Sequence, residues 1–106
     1  MKITKETLKK LKHLLIKNFG DNIKDVILFG SQATETATDL SDYDILIVLR
    51  NEYDWKYKDK IRDVICEFEI MNDIFIDMNI ISEKERNTLR WHQPIFINAF
   101  KNGIYA

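Results

Sequence analysis

Cysteine, proline and glycine are scarce in this chain: one Cys, one Pro and three Gly among 106 residues. The single thiol, Cys66, cannot close an internal disulfide, which suits a reducing compartment, and a cytoplasmic location is expected. Cys66 falls inside a helical pattern with no evident histidine partner, so it reads as structural rather than nucleophilic. Charge of one sign is also lacking. Sixteen Lys and Arg against 17 Asp and Glu leave a formal net charge of −1, which gives no strong pull toward nucleic acid or an anionic membrane. No apolar run approaches the roughly 20 residues that a membrane-spanning helix needs. The opening segment, MKITKETLKKLKHLLIKNF, has lysines spaced through its apolar residues and so lacks the continuous core of a signal peptide. No internal repeat, low-complexity segment or linker is visible.

What is present suits an ordinary globular fold: 45% hydrophobic and 31% charged residues. A single domain over residues 1–106 is expected. Leu8, Leu11, Leu14, Leu15 and Phe19 recur at helical spacing, which predicts an amphipathic helix over Lys5–Phe19, with Thr4 as cap and Gly20 as stop. Asp25–Gly30 and Tyr43–Arg50 read as buried strands. Trp55–Met71 has the period of a second helix, with Tyr57, Ile61, Val64, Ile65, Phe68 and Met71 on its stripe. Ile74–Ile81 alternates as a third strand. Ser82 and Glu85 are placed as a capping box opening another helix. Pro94 starts the next helical stretch, Ile95–Lys101, Asn102-Gly103 ends it, and the final Ile-Tyr-Ala suits a short last strand. The expected fold class is α/β (α+β): a small mixed sheet of three or four strands flanked by helices, in the order α-β-loop-β-α-β-α.

The strand alternation sorts side chains by face. Ile45, Ile47 and Leu49 point one way, and Asp42, Asp44, Leu46 and Val48 the other; Phe75, Asp77, Asn79 and Ile81 share a face of the third strand. If the first two strands are neighbours, Gly30-Ser31 at the end of one lies beside Asp42 and Asp44 at the start of the next. A helical crossover then makes the third strand parallel to the second, which brings Asp77 to the same end. Three carboxylates so close repel one another unless a cation sits among them. An oxygen-only set of this kind suits Mg²⁺ or Mn²⁺, and two ions would serve phosphoryl-group chemistry. Gly30 permits close backbone approach, and Ser31 and the amides after it are suited to phosphate. Asp73 is the alternative third acid, although it reads better as the turn before the strand.

Gly30-Ser31, ten residues, then Asp42-Tyr43-Asp44 resembles the signature of the polymerase β-like nucleotidyltransferase superfamily, and most closely its minimal, single-domain members (MNT). The resemblance implies a nucleotidyltransferase-like fold. It implies that Asp42, Asp44 and Asp77 are catalytic and hold Mg²⁺, and that Gly30 and Ser31 bind the nucleotide phosphates. It further implies transfer of AMP from ATP, or of another nucleotide, to a hydroxyl, with Asp77 assisting deprotonation of the acceptor. Minimal members often pair with a helical HEPN toxin and act as its antitoxin by modifying a tyrosine, so a HEPN-type partner is expected; a homo-oligomer remains open. Two positions depart from the family pattern. Where many members have Arg-Gly, this chain has Thr34 and Glu35, which removes a phosphate contact and adds bulk and negative charge. That departure supports an alternative reading as a binding module that neutralises its partner by contact. A small-molecule (antibiotic) nucleotidyltransferase is a third reading, disfavoured because such enzymes usually carry an extra substrate domain.

The remaining polar and aromatic residues have simpler readings. His13 and His92 are expected to be structural or exposed, Trp55, Trp91, Phe96 and Phe100 to be core or interface, and Lys56–Arg62 to be a solvated helix face.

Overall fold

Leucines at helical spacing bury one face of the first element. In the computed structural model, which describes residues 4–30 and 43–106, helix α1 spans Lys5–Phe19 and sinks Leu8, Leu11 and Leu15 completely. Its start is held by Thr4, whose Oγ1 accepts the Thr7 N–H at 3.1 Å. A 3-10 turn (Gly20–Asn22) leads into β1 (Ile23–Phe29). Strand β2 (Tyr43–Leu49) follows, then α2 (Trp55–Asn72), capped by the Asp54 Oδ1, which accepts the Tyr57 N–H at 2.8 Å. Strand β3 (Ile76–Ser82), a 3-10 turn (Glu83–Glu85), helix α3 (Pro94–Asn102) and the short strand β4 (Ile104–Tyr105) complete the order.

The strands form one mixed sheet in the order β3-β2-β1-β4. β1 runs antiparallel to β2 and β4, while β2 and β3 are parallel, joined by the α2 crossover. Period-2 alternation divides the core in two. Val26, Leu28, Ile45, Ile47, Leu49 and Ile80 pack under α1 and α2, together with Ile61, Ile65 and Phe68. Ile27, Phe29, Leu46, Val48 and Ile81 face the other way, against Phe96 and Ala99 of α3. Each fully buried Leu or Ile contributes about 2 kcal/mol of transfer free energy, so a one-residue slip of β2 would forfeit both cores.

The structure differs from the sequence reading in detail. β1 begins at Ile23 rather than Asp25, because Ile23 pairs with Leu49 across a register shift. β3 begins at Ile76 rather than Ile74: Asp73 takes a left-handed conformation (φ 53°) as the cap of α2, and the Ile74 N–H still bonds back to the Glu69 carbonyl at 3.2 Å. Ser82–Glu85 opens only a single 3-10 turn, with the Ser82 N–H donating to Glu85 Oε2 at 2.8 Å. Met71 is 72% exposed, off the buried stripe of α2.

Candidate active site

The end of β1 fixes the first part of the site. Phe29 pairs with Asp44, so Gly30 lies next to the Asp44 side chain. Gly30 adopts φ 78°, and a Cβ built there would collide with the Asp44 Oδ2 and lie 3.2 Å from its Cγ. A residue with any side chain would therefore need both a left-handed backbone and a displaced carboxylate. Glycine is the residue type that lets the β1 backbone and the β2 carboxylate approach this closely.

The parallel ladder supplies the second part. Asp44 and Asp77 are direct register partners on β2 and β3. Neighbouring strands lie about 4.8 Å apart, and opposed side chains in such a ladder share a face. That face is the one whose deeper positions, Leu46, Val48 and Ile81, pack against α3. Asp44 is half-buried and Asp77 is exposed. The start of both strands is tied down: the Tyr43 N–H donates to the Phe75 carbonyl at 2.9 Å, and Glu69 Oε2 accepts the Ile76 N–H at 2.8 Å. Glu69 is thus a positioning residue for this rim. Nothing in its local sequence signals that role, because the bond joins the last turn of a helix to the strand beyond it.

The described residues bring Gly30, Asp44 and Asp77 to one rim of the sheet. Ser31 and Asp42 lie outside the described residues, as do Thr34 and Glu35. Asp73 sits in the turn before the ladder, with no partner residue on β2. Among the described residues no set of three Asp, Glu, His or Cys groups could hold a metal ion; the rim contributes two carboxylates. Their chemistry fits a hard divalent cation. Both donors are oxygen, and like charges placed opposite each other on adjacent strands oppose folding unless a positive charge lies near.

Elsewhere the polar groups are engaged in structure. His13, His92 and Cys66 are exposed, as are Lys56, Lys58, Lys60 and Arg62 on the outer face of α2. Trp91 stacks on Phe100 at 4.7 Å beside the α3 core, whereas Trp55 is 69% exposed. An open cleft lined by Glu52, Tyr53, Ser82, Glu85 and Arg90 lies at the opposite end of β2 and β3 from the carboxylates. Its arginine is already committed: Arg90 donates to Glu85 Oε1 at 2.7 Å and to the Ile80 carbonyl at 2.6 Å. No described helix is long and apolar enough to cross a membrane.

The family described as "Polymerase beta, Nucleotidyltransferase" matches residues 9–97. A protein of Methanocaldococcus jannaschii, provisionally named a protein adenylyltransferase, is 38% identical over 68 residues. That match covers 62% of this chain and 44% of the relative, so the chain spans less than half the length of that relative. Two of the solved structures that share the fold are representative. One is a provisionally named nucleotidyltransferase from Sulfolobus solfataricus, with a TM-score of 0.56 at 22% identity, covering 94% of this chain and 76% of that one. The other is a chain of the complex between a tri-AMPylated HEPN toxin and an MNT antitoxin of Shewanella oneidensis. It gives a TM-score of 0.59 at 16% identity, covering 97% and 71%.

Proposed function

The chain belongs to the polymerase beta nucleotidyltransferase family, and from that premise we propose that it transfers AMP from ATP to a tyrosine hydroxyl of a HEPN-type partner protein, as an antitoxin. The observation that carries this reading is the pairing of Asp44 with Asp77 on one face of the sheet, beside the glycine bend at Gly30. The choice of AMP and of a protein acceptor is supported by the adenylyltransferase name of the archaeal relative and by the AMPylated HEPN complex among the structural neighbours.

Each residue has a distinct task in this reading. Asp44 and Asp77, with Asp42, would hold Mg²⁺, which when bound supplies charge neutralisation to the phosphates and acidity to the acceptor hydroxyl. Gly30 and Ser31 orient the triphosphate by close backbone approach. The acceptor oxygen forms a bond to the α-phosphorus while the bond to the bridging oxygen breaks. Pyrophosphate leaves with that electron pair, and the hydroxyl proton passes to the Asp77 carboxylate. The attacking and leaving oxygens lie in line, so catalysis consists mainly of positioning and charge stabilisation.

The second reading, neutralisation by contact alone, rests on Glu35 and Thr34 in place of the family's Arg-Gly. One experiment separates the two. The chain is incubated with Mg²⁺, ATP labelled at the α-phosphate, and the purified product of its neighbouring gene. Label on a partner tyrosine, reduced at least about a hundredfold by Asp44→Ala and abolished by chelation, is expected. Tight binding of the partner without any label would overturn transfer in favour of contact.

A further inference from the structure

The α3 face of the sheet holds a cavity at the end away from the carboxylate rim, and strand register sets its floor. Asp25 of β1 pairs with Val48 of β2, and Tyr105 of β4 pairs with Ile27. Directly paired residues share a face. Val48 and Ile27 both pack against α3, so Asp25 and Tyr105 stand on that face too. On the same side Trp91 stacks on Phe100, with ring centroids 4.7 Å apart. These residues, with Lys24, Glu83 and Arg86, line a space of about 290 Å³. None of them belongs to the Asp44–Asp77 rim, so the cavity is independent of the transfer reading.

The lining carries two cations and two anions, and they are not equivalent. Lys24 and Glu83 are committed to each other in an ion pair. Arg86 and Asp25 have no ion-pair partner among the described residues. They also stand at different sides of the cavity. Arg86 follows β3, at one edge of the sheet, whereas Asp25 lies on β1 beside β4, at the other. Burial and the nearby Asp25 charge hold the Tyr105 phenol above its usual range, which puts the unpaired anion at the β4 side.

Two carboxylates in the lining repel a phosphate group, so the cavity is not built for a nucleotide. An unpaired cation facing an unpaired anion selects instead a ligand that carries both charges. Three aromatic rings and Val48 suit an apolar body between them. The volume lies at the lower end of ligand pockets, which begin at about 300 Å³, and so fits a compact molecule. We propose that this cavity binds a free amino acid with an aromatic side chain. Arg86 takes the carboxylate, where its planar fork matches the two oxygens, and Asp25 takes the ammonium. The ring of the ligand rests among Trp91, Phe100 and Tyr105.

The test titrates L-phenylalanine into the whole chain carrying Trp55→Phe. That substitution, at an exposed position on α2, leaves Trp91 as the single indole, so its fluorescence reports on the cavity. Calorimetry gives the affinity, and a Kd below about 1 mM with a change in Trp91 emission is expected. 3-Phenylpropionate lacks the ammonium and 2-phenylethylamine lacks the carboxylate; each should bind at least about tenfold more weakly. Arg86→Gln should weaken phenylalanine about tenfold and leave phenylethylamine within about twofold. Asp25→Asn should weaken phenylalanine about tenfold and leave phenylpropionate within about twofold. No binding at up to about 10 mM, equal affinity for phenylalanine and either analogue, or wild-type binding by the variants overturns the proposal. Thermal melting checks folding. Arg86 is exposed, so its variant decides should Asp25→Asn unfold.

Discussion

At Gly30 the backbone turns through φ 78° while the Asp44 carboxylate fills the volume where a Cβ would project. The two constraints have different consequences. A non-glycine residue in this conformation costs about 1–2 kcal/mol. The clash itself is with the end of a side chain, which can rotate away, so folding survives it. The displaced atom, however, is one of the proposed metal-holding oxygens. Gly30→Ala should therefore lower stability by about 1–2 kcal/mol in chemical denaturation and reduce AMP transfer far more, by at least about a hundredfold. A variant that transfers at the wild-type rate would remove Gly30 from the site. Glu83 illustrates a residue with a smaller effect. Its hydrogen bond and ion pair with Lys24 hold the carboxyl below the usual glutamate range. A depressed acid stabilises the fold above its unfolded pKa, and that contribution is lost as pH falls through the folded value. Because the Glu83–Lys24 pair is open to solvent the effect is small, and Lys24→Met should flatten only the acid limb of the stability profile below about pH 5.

At the scale of elements, periodic patterns were legible and long-range bonds were not. The faces of β2 follow directly from alternation: Ile45, Ile47 and Leu49 enter one core, Leu46 and Val48 the other. Because Asp44 belongs to the second set, its placement beside Asp77 needed only the right register. β3 starts two residues later than its alternation predicts, for a physical reason. Ile74 and Phe75 are as apolar as a strand, but the αL cap at Asp73 and the Glu69 carbonyl keep Ile74 in the helix tail. Likewise Ser82 and Glu85 supply a capping signal, yet Glu85 also turns outward to Arg90, and the chain leaves the helix after one turn. Such bonds also blunt the free edge of β3. Glu69 takes the Ile76 N–H, Tyr53 and Arg90 take the Ile80 carbonyl, and Glu85 takes the Ser82 N–H. Glu69→Ala should then cost about 1–2 kcal/mol, by leaving the Ile76 N–H without its acceptor. Amide exchange should speed first at Ile76 and Asp77, while the amides of β1 stay protected. Uniform acceleration across the sheet would instead mean that Glu69 supports the whole fold.

For the whole molecule, the carboxylate rim is a place where folding and function are opposed. The interior of the sheet is apolar on both faces, whereas its rim sets Asp44 and Asp77 opposite each other. Like charges on directly paired positions destabilise a sheet by some tenths of a kcal/mol. A ligand that binds only the folded rim returns far more: at a hundred times its dissociation constant it adds about 2.7 kcal/mol. For a chain of this size each kcal/mol moves the melting temperature by about 4–8 °C, so Mg²⁺ with a non-hydrolysable ATP analogue should raise the wild-type value by on the order of 10 °C. Asp77→Asn separates the opposing terms, since it removes one charge and keeps the side-chain size. Without metal it should melt at or slightly above the wild-type temperature, and with metal and analogue it should lose most of the increase. Calorimetry in the presence and absence of chelator reads both values. An Asp77→Asn variant stabilised by Mg²⁺ as strongly as the wild type would place the cation elsewhere, and with it the chemistry assigned to the β2–β3 rim.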